Sequence, residues 1–367
     1  MKLKDILNDV DIIEIQGDTS IDITGIAYDS RKVEEGNAFV CIKGYKTDGH
    51  QFINDAVNKG ASALIVEKPI ESSPIDGTII QVADSRKALS KLSCNYFDNP
   101  TSNLNVIGVT GTNGKTTFTY MVHQVLKASD EPCAVLGTIS YRIGHQEYTS
   151  TNTTPESYEL QKMFTEMLDK NIKSCVMEVS SHSLALNRVE DIDFDYGIFT
   201  NLTPDHLDFH SGFDDYFNSK KKLFYKTKKA NIVNIDDKYG RILIENIRQL
   251  NVKCFTYGID LKSDFQAQNV QISDRFSDFD IWYKEQCLGH LSIPIPGKFS
   301  VYNALASAAA CVVSLALHLY WTLSEVQLHW VVLFAPCLCF PNLYPANAIY
   351  CFPWDVSTYC ALSKFSI

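Results

Sequence analysis

The chain has 367 residues, 45% of them hydrophobic, with 11 cysteines and a formal net charge of −10. At a usual domain size of about 150 residues, that length provides for two or three domains rather than one core. The acidic balance argues against a general nucleic-acid binder or a membrane-surface protein, because both advertise basic patches.

The opening residues 1–15 intersperse Lys2, Lys4, Asp5, Asp9, Asp11 and Glu14 among aliphatics. That pattern is unlike an export leader, so a cytoplasmic location is expected. The cysteines fall at irregular spacings with no C-x-x-C pair, which points to reduced thiols rather than to a disulfide frame or a zinc site. Residues 23–27 and 37–42 read as strands, with turn signals at Asp29-Ser30 and Gly44 between and after them. A helix is expected over 51–59 and further short strands over 61–66 and 78–82, so residues 1–98 make a small α/β domain. The Asp98-Asn99-Pro100 turn is its boundary.

Residues 105–117 then run from an apolar, strand-like stretch into a glycine turn carrying Lys115, Thr116 and Thr117. This is the pattern of a nucleotide phosphate cradle, implying ATP or GTP. Gly111 and Gly114 let the backbone approach a polyphosphate, successive N–H groups and a helix start face the anion, Lys115 neutralises charge, and Thr116 offers a hydroxyl to Mg²⁺. The strict motif places a glycine where this chain has Val109, so the loop is a shortened form. A helix over 118–128 follows.

Further apolar runs at 133–139, 174–179, 197–201, 230–234 and 253–257 are separated by helix-length stretches. Such βα alternation predicts a mostly parallel sheet with helices on both faces and a ligand site outside the carboxyl ends of the strands. Two clusters fall at those ends, one beginning at Glu178 and one spanning Asn201 to His210. Glu178 is read as a Mg²⁺ ligand or as a solvated strand-end acid. His206 is read as a second ligand, a phosphate-facing group or a structural histidine. Lys220, Lys221 and Lys222 lie on a helix expected over 213–225 and would ordinarily form a solvated face. One of them could instead turn back toward the metal loop, where a buried lysine can lose its proton and react. Asn303, after the Pro296-Gly297 turn and on an alanine-rich helix expected over 301–311, either reads a base edge through its amide or caps the helix start.

Beyond residue 314 the character changes. Over 315–367 the only charged residues are Glu325, Asp355 and Lys364, and Pro336, Pro341, Pro345 and Pro353 interrupt an apolar stretch with no helical period. It never reaches the ~18 unbroken apolar residues of a membrane span. It is read as an out-of-frame tail, with an unusual apolar module as the alternative.

Taken together, Thr110-Gly-Thr-Asn-Gly-Lys-Thr116, Glu178-Val-Ser-Ser-His182, Asn201 with Asp205-His206-Leu207-Asp208, and the 297–303 segment resemble the Mur ligases of peptidoglycan synthesis. The likeness covers most of residues 20–314. Asp29-Ser-Arg-Lys-Val33, Gly36, Phe39-Val40 and Asp48-Gly-His-Gln-Phe52 resemble the family's UDP-MurNAc-binding domain, and Thr153-Thr-Pro155 with Ser180-Ser-His182 favours its MurE-type branch. The resemblance implies a UDP-MurNAc-binding domain over 1–98, a central ATP-binding domain over 99–314, and a non-homologous tail over 315–367 in place of the family's third domain. It implies ATP-dependent ligation of a third amino acid, meso-diaminopimelate or L-lysine, to UDP-MurNAc-L-Ala-D-Glu through an acyl phosphate, with Mg²⁺, in a monomer that binds neither nucleic acid nor membrane.

By the same resemblance, Gly111, Thr112, Asn113, Gly114, Lys115, Thr116, Thr117 and Asn303 meet ATP. Thr116, Glu178 and His206 serve the metals, and Lys220 occupies the place of a carbamylated lysine. Ser30, Thr153, Thr154, Ser181 and Arg188 meet the sugar-peptide. Leu186 stands where many relatives carry glutamine, and Pro204 is a smaller departure. Without the third domain, weak ligand binding and little or no ligation are expected. The rival readings are a non-catalytic nucleotide- or UDP-sugar-binding remnant and a folate-polyglutamylating ligase, the latter disfavoured by residues 29–33 and 153–155.

Overall fold

A computed structural model describes residues 1–44, 47–70, 77–205 and 208–316. The first sheet is built from β1 (Ile12–Gln16), β2 (Gly25–Ala27), β3 (Asn37–Val40), β4 (Ala63–Val66) and β5 (Thr78–Val82), with helices α1 (Leu3–Ile6), α2 (Ile53–Asn58) and α3 (Ser85–Tyr96). Its order is β1-β5-β4-β3-β2, parallel except for the antiparallel edge strand β1. The helix expected over 51–59 begins instead as a 3-10 turn at Gly49–Phe52, started by the Asp48 carboxylate accepting from His50 N. Strand β1 escaped the sequence reading because four of its five residues face solvent, leaving no buried alternation to detect.

The chain leaves this unit through Asp98 and Asn99, both at positive φ, before Pro100 opens a 3-10 turn. Asp and Asn tolerate that left-handed conformation better than other side chains do.

The second sheet holds β6 (Asn105–Thr110), β7 (Cys133–Leu136), β8 (Ser140–Ile143), β9 (Gln146–Thr149), β10 (Ser174–Glu178), β11 (Phe194–Phe199), β12 (Thr227–Asn234), β13 (Lys253–Gly258), β14 (Phe265–Ile272), β15 (Ser277–Tyr283) and β16 (Gln286–Ile293). Its helices are α4 (Lys115–Ala128), α5 (Ser157–Asp169), α6 (Ser181–Ala185), α7 (Phe213–Tyr225), α8 (Lys238–Ile247) and α9 (Lys298–Ala316). The order is β16-β15-β14-β13-β12-β11-β6-β10-β7-β8-β9, with a parallel centre running from β14 to β7 and antiparallel strands at both edges. The fold is thus α/β with a mostly parallel sheet.

The P-loop strand β6 lies in the middle and is buried on both sides, which is why it reads as a continuous apolar run. Successive side chains point to opposite faces. Ile107 and Val109 pack with Phe118 of α4 and the alanines of α9, while Val106 packs with Phe164 of α5 and Phe224 of α7. Fully burying a side chain such as Phe118 contributes roughly 2–3 kcal/mol. The small side chains Ala304, Ala308 and Ala309 are fully buried and let α9 approach closely.

The strand expected over 133–139 ends at Leu136, because Gly137 turns the chain under Glu178. The hairpin β8–β9 and the meander β14–β16 were absent from the sequence expectations. Helix α9 continues to Ala316, so the first two residues of the expected tail are helical backbone, and residues 317–367 lie outside the described part. No helix among the described residues is long and apolar enough to cross a membrane.

Candidate active site

Three parallel strands end side by side: Glu178 of β10 pairs in register with Val109 of β6, and Phe199 of β11 with Thr110. This register brings the glycine turn, the carboxylate and the loop after β11 to one edge. Gly111 and Gly114 have φ of 150° and 90°, values that L side chains rarely adopt. A Cβ on Gly111 would overlap the Thr200 hydroxyl, and one on Gly114 would overlap the Asn303 amide oxygen. Asn201 bridges the turn, its Oδ1 accepting from Asn113 N at 3.0 Å and its Nδ2 donating to Asn113 O at 3.2 Å. Thr200 Oγ1 also donates to Asn113 O, at 2.7 Å.

Lys115, the first residue of α4, folds over its own loop and donates from Nζ to Gly111 O and Thr112 O, both at 2.9 Å. Burial lowers the pKa of its ammonium from the ordinary value, opposed by the charges of Glu178 and Asp205. Thr116 Oγ1 donates to Glu178 Oε1 at 2.9 Å. The same oxygen accepts from Thr138 N at 2.9 Å, and Oε2 accepts from the Thr138 hydroxyl at 3.2 Å. Glu178 is therefore an oriented carboxylate, 1% exposed, and not the solvated acid of the alternative reading. A hydroxyl beside a fixed carboxylate is a donor set of hard oxygens that fits a Mg²⁺ retaining several waters. A glycine turn with a lysine over it, opening a helix, fits a polyphosphate.

Of the three consecutive lysines, Lys221 and Lys222 reach Asn246 Oδ1 and Leu184 O. Lys220 points inward. It is 1% exposed, donates to Gly111 O at 2.8 Å, and its Nζ sits 4.6 Å from the centroid of the Tyr216 ring. Burial first, and the neighbouring Lys115 charge second, push its pKa well below the ordinary lysine value. Tyr216 ties the arrangement to the glycine turn through a 3.1 Å contact between its hydroxyl and Thr112 Oγ1.

A second group of residues adjoins the first. Thr153 Oγ1 lies 3.1 Å from Thr138 Oγ1, and the buried Thr154 hydroxyl donates to Glu178 O at 2.9 Å while accepting from Ser180 N at 3.1 Å. The Ser181 side-chain oxygen is buried with no hydrogen-bond partner. Arg188 donates to Thr154 O at 3.1 Å. Ser30 belongs to the first sheet's unit, where its carbonyl accepts from Lys59 Nζ at 3.0 Å. His206 lies outside the described residues.

Sequence reasoning missed Thr138, Thr200, Tyr216 and Asp236. Asp236 accepts from the backbone N–H groups of Ile259, Asp260 and Leu261 and from the Tyr302 hydroxyl. The available signal was position, since Thr138 and Thr200 stand at or just past the carboxyl ends of strands.

The model of the Mur ligase middle domain matches residues 109–311, and that of the Mur ligase family catalytic domain matches residues 22–97. The chain is 49% identical over 317 residues to the UDP-N-acetylmuramoyl-L-alanyl-D-glutamate--2,6-diaminopimelate ligase of Clostridioides difficile (strain 630), covering 85% of this chain and 64% of that protein. A solved structure of a ligase of the same description superposes with a TM-score of 0.76 at 24% identity, over 90% of this chain and 66% of the other. MurF ligase from Thermotoga maritima, solved in complex with ADP, superposes at 0.51 with 20% identity, over 78% and 62%. These two structural matches speak to the fold. The chain spans slightly under two thirds of the length of the curated relative, at 64%.

Proposed function

We propose, on the premise that this chain belongs to the Mur ligase family, that it carries the nucleotide- and muramoyl-peptide-binding parts of an ATP-dependent ligase. The reaction is addition of meso-diaminopimelate to UDP-MurNAc-L-Ala-D-Glu, the activity named for its 49%-identical relative. In this reading residues 1–98 hold the UDP-MurNAc end and residues 99–314 hold ATP. The observation that carries it is the Thr116–Glu178 pair at the mouth of the glycine turn, with Lys220 inserted against Gly111 from behind.

Bound ATP and Mg²⁺ would supply a phosphoryl group that turns the D-Glu carboxylate into an acyl phosphate, open to attack by an amine. The chain's own residues position and neutralise. Backbone N–H groups of the glycine turn other than those of Thr112 and Asn113, which donate to Asn201, and the start of α4 would face the phosphates, and Lys115 would exchange two carbonyl acceptors for phosphate oxygens. Thr116 and Glu178 would hold the metal, with Thr138 fixing the carboxylate's orientation. His206 is assigned a second metal contact by resemblance alone. Asn303, against Gly114, meets the nucleobase.

Lys220 is the candidate for carbamylation. Burial favours its neutral amine, whose nitrogen adds to the carbon of CO2, forming an N–C bond and releasing one proton. The product is a carboxylate-like group beside the phosphate loop. Thr153, Ser181 and Arg188 face the muramoyl-peptide and Ser30 the uridine diphosphate, while Thr154, whose hydroxyl is spent on Glu178 and Ser180, contributes by shaping that wall.

Calorimetric titration of the chain with UDP-MurNAc-L-Ala-D-Glu, Mg·ATP and a folate tests the reading. Binding of the first two and not the third is expected. Preference for the folate, or binding of neither nucleotide ligand, would overturn it.

A further inference from the structure

Arg188 is gripped from two sides. Besides its bond to Thr154 O, its Nε lies 2.8 Å from Glu156 Oε1, and the other oxygen of that carboxylate is 3.7 Å from Nη1 of Arg86. Arg86 stands on α3, in the unit of the first sheet, and Arg188 follows α6 in the second. The three side chains are largely withdrawn from water, at 14% exposure for Arg188, 15% for Glu156 and 18% for Arg86.

Glu156 occupies the N-cap position of α5, yet its side chain makes no capping hydrogen bond. Capping is therefore not what its carboxylate does. It lies instead between two guanidinium groups from different units. Other polar links accompany it across the same boundary, including Lys91 Nζ to Asp191 at 2.9 Å and Asn187 Nδ2 to Asp84 at 3.4 Å.

We infer that Glu156 is a positioning residue, orienting Arg188 toward the carboxylates of the muramoyl-peptide and tying that orientation to Arg86 of the neighbouring unit. The inference rests on the proposed function, in which Arg188 meets the peptide. A guanidinium is a rigid planar fork, so binding a carboxylate with two parallel bonds demands that its plane be set beforehand. Thr154 O, accepting from Nη1, and the Glu156 charge beside Nε set that plane; the 2.8 Å contact at Nε is an ion pair that is not aligned as a hydrogen bond, and Nη2 makes neither contact. An arginine so far withdrawn from water, left without its carboxylate, would instead swing toward solvent, and the ligand would have to reorder it on binding.

The test is calorimetry on the whole chain with two probes, UDP-MurNAc-L-Ala-D-Glu and UDP alone. Glu156→Gln keeps the side chain's size and removes its charge. It is expected to weaken the dipeptide ligand about tenfold while changing UDP affinity less than about twofold. Glu156→Asp should recover part of the loss. In an Arg188→Gln background, Glu156→Gln should have almost no further effect, because a residue acting through Arg188 has nothing left to orient. Unchanged dipeptide binding, equal loss for both probes, or losses that multiply in the double variant would each overturn the inference. Should Glu156→Gln fail to fold, Arg86→Gln carries the same contrast, with a smaller loss expected for the dipeptide ligand and none for UDP. Failure of the unsubstituted chain to bind the dipeptide ligand would instead sink the functional reading, and the inference with it.

Discussion

Two lysine nitrogens converge on one carbonyl oxygen, since Gly111 O accepts from Lys115 at 2.9 Å and from Lys220 at 2.8 Å. Burial and the Lys115 charge beside it both disfavour the charged form of Lys220 and hold its pKa well below the ordinary lysine value. A sign follows for stability. Lys220 has its folded pKa lowered, so between that value and the ordinary lysine value of about 10.4 the unfolded chain binds more protons than the folded one. Stability from this group therefore rises with pH across that window. Urea denaturation of the unsubstituted chain and of Lys220→Met, at intervals from neutral pH to about pH 10, should show the variant with the flatter or more steeply falling profile. Parallel profiles would mean that Lys220 is not the group responsible. At Glu178 the expectation concerns the metal. Glu178→Gln keeps an oxygen to accept from Thr116 Oγ1 and Thr138 N but removes the charge and the acceptor of the Thr138 hydroxyl. Mg·ATP affinity should fall at least about tenfold, a loss of ~1.4 kcal/mol, while metal-free ATP binds nearly as before.

At the scale of elements, the site depends on how α9 and the phosphate turn meet. Gly114 is the N-cap of α4, at φ 90°, with the Asn303 amide against its α-carbon. Gly114→Ala should cost about 1–3 kcal/mol in backbone strain alone and abolish nucleotide binding, since either Asn303 or the turn must move. Asp236 does similar work along the same carboxyl edge of the sheet, two strands away after β12. Its carboxylate gathers three backbone N–H groups of the 259–261 turn and the Tyr302 hydroxyl, fastening the start of α9 to the end of β13. Desolvation raises its pKa, but the bonds from Asp260, Ile259 and Leu261 outweigh that and leave it below the ordinary value. Asp236→Ala leaves several of those donors without their acceptor, and a loss of about 3 kcal/mol is expected in chemical denaturation. A loss under about 0.5 kcal/mol would show that water replaces the carboxylate without penalty.

For the whole molecule, the two units meet through polar contacts from Asp84 and α3 to residues 156, 187 and 191 and through Phe97 packed against Tyr158. Interfaces of that character ordinarily permit relative movement of units. A ligand touching Ser30 in one unit and Arg188 in the other should therefore couple them. At about 100 times its Kd, UDP-MurNAc-L-Ala-D-Glu should add ~2.7 kcal/mol to unfolding and merge any separate melting transitions into one. UDP alone should stabilise only the first unit. Calorimetric melts in the presence of each probe distinguish the two cases.

Much was written in the chain itself. The glycine turn, the strand before it and the βα alternation are local patterns, set by backbone permissiveness and side-chain period, and helix 213–225 matches α7 residue for residue. The inward turn of Lys220 rather than Lys221 or Lys222 was not legible, because neighbours on a helix differ by rotation about its axis and only the packed core says which way is in. The edge strands β1 and β9 escaped because exposed strands carry little buried alternation; β8, buried at three of its four positions, and the meander strand β15, with alternating burial, escaped for no such reason. Thr138, Asp236 and Glu156 escaped for a different reason. Each works on a partner 40, 23 to 66 and 32 positions away respectively, and such distances in sequence are closed only when the parallel register sets the strand ends side by side. Residue chemistry and local pattern thus determined what the site contains. The tertiary structure alone decided which groups meet, because hydrogen bonds and charges act over a few ångströms of space and not along the chain.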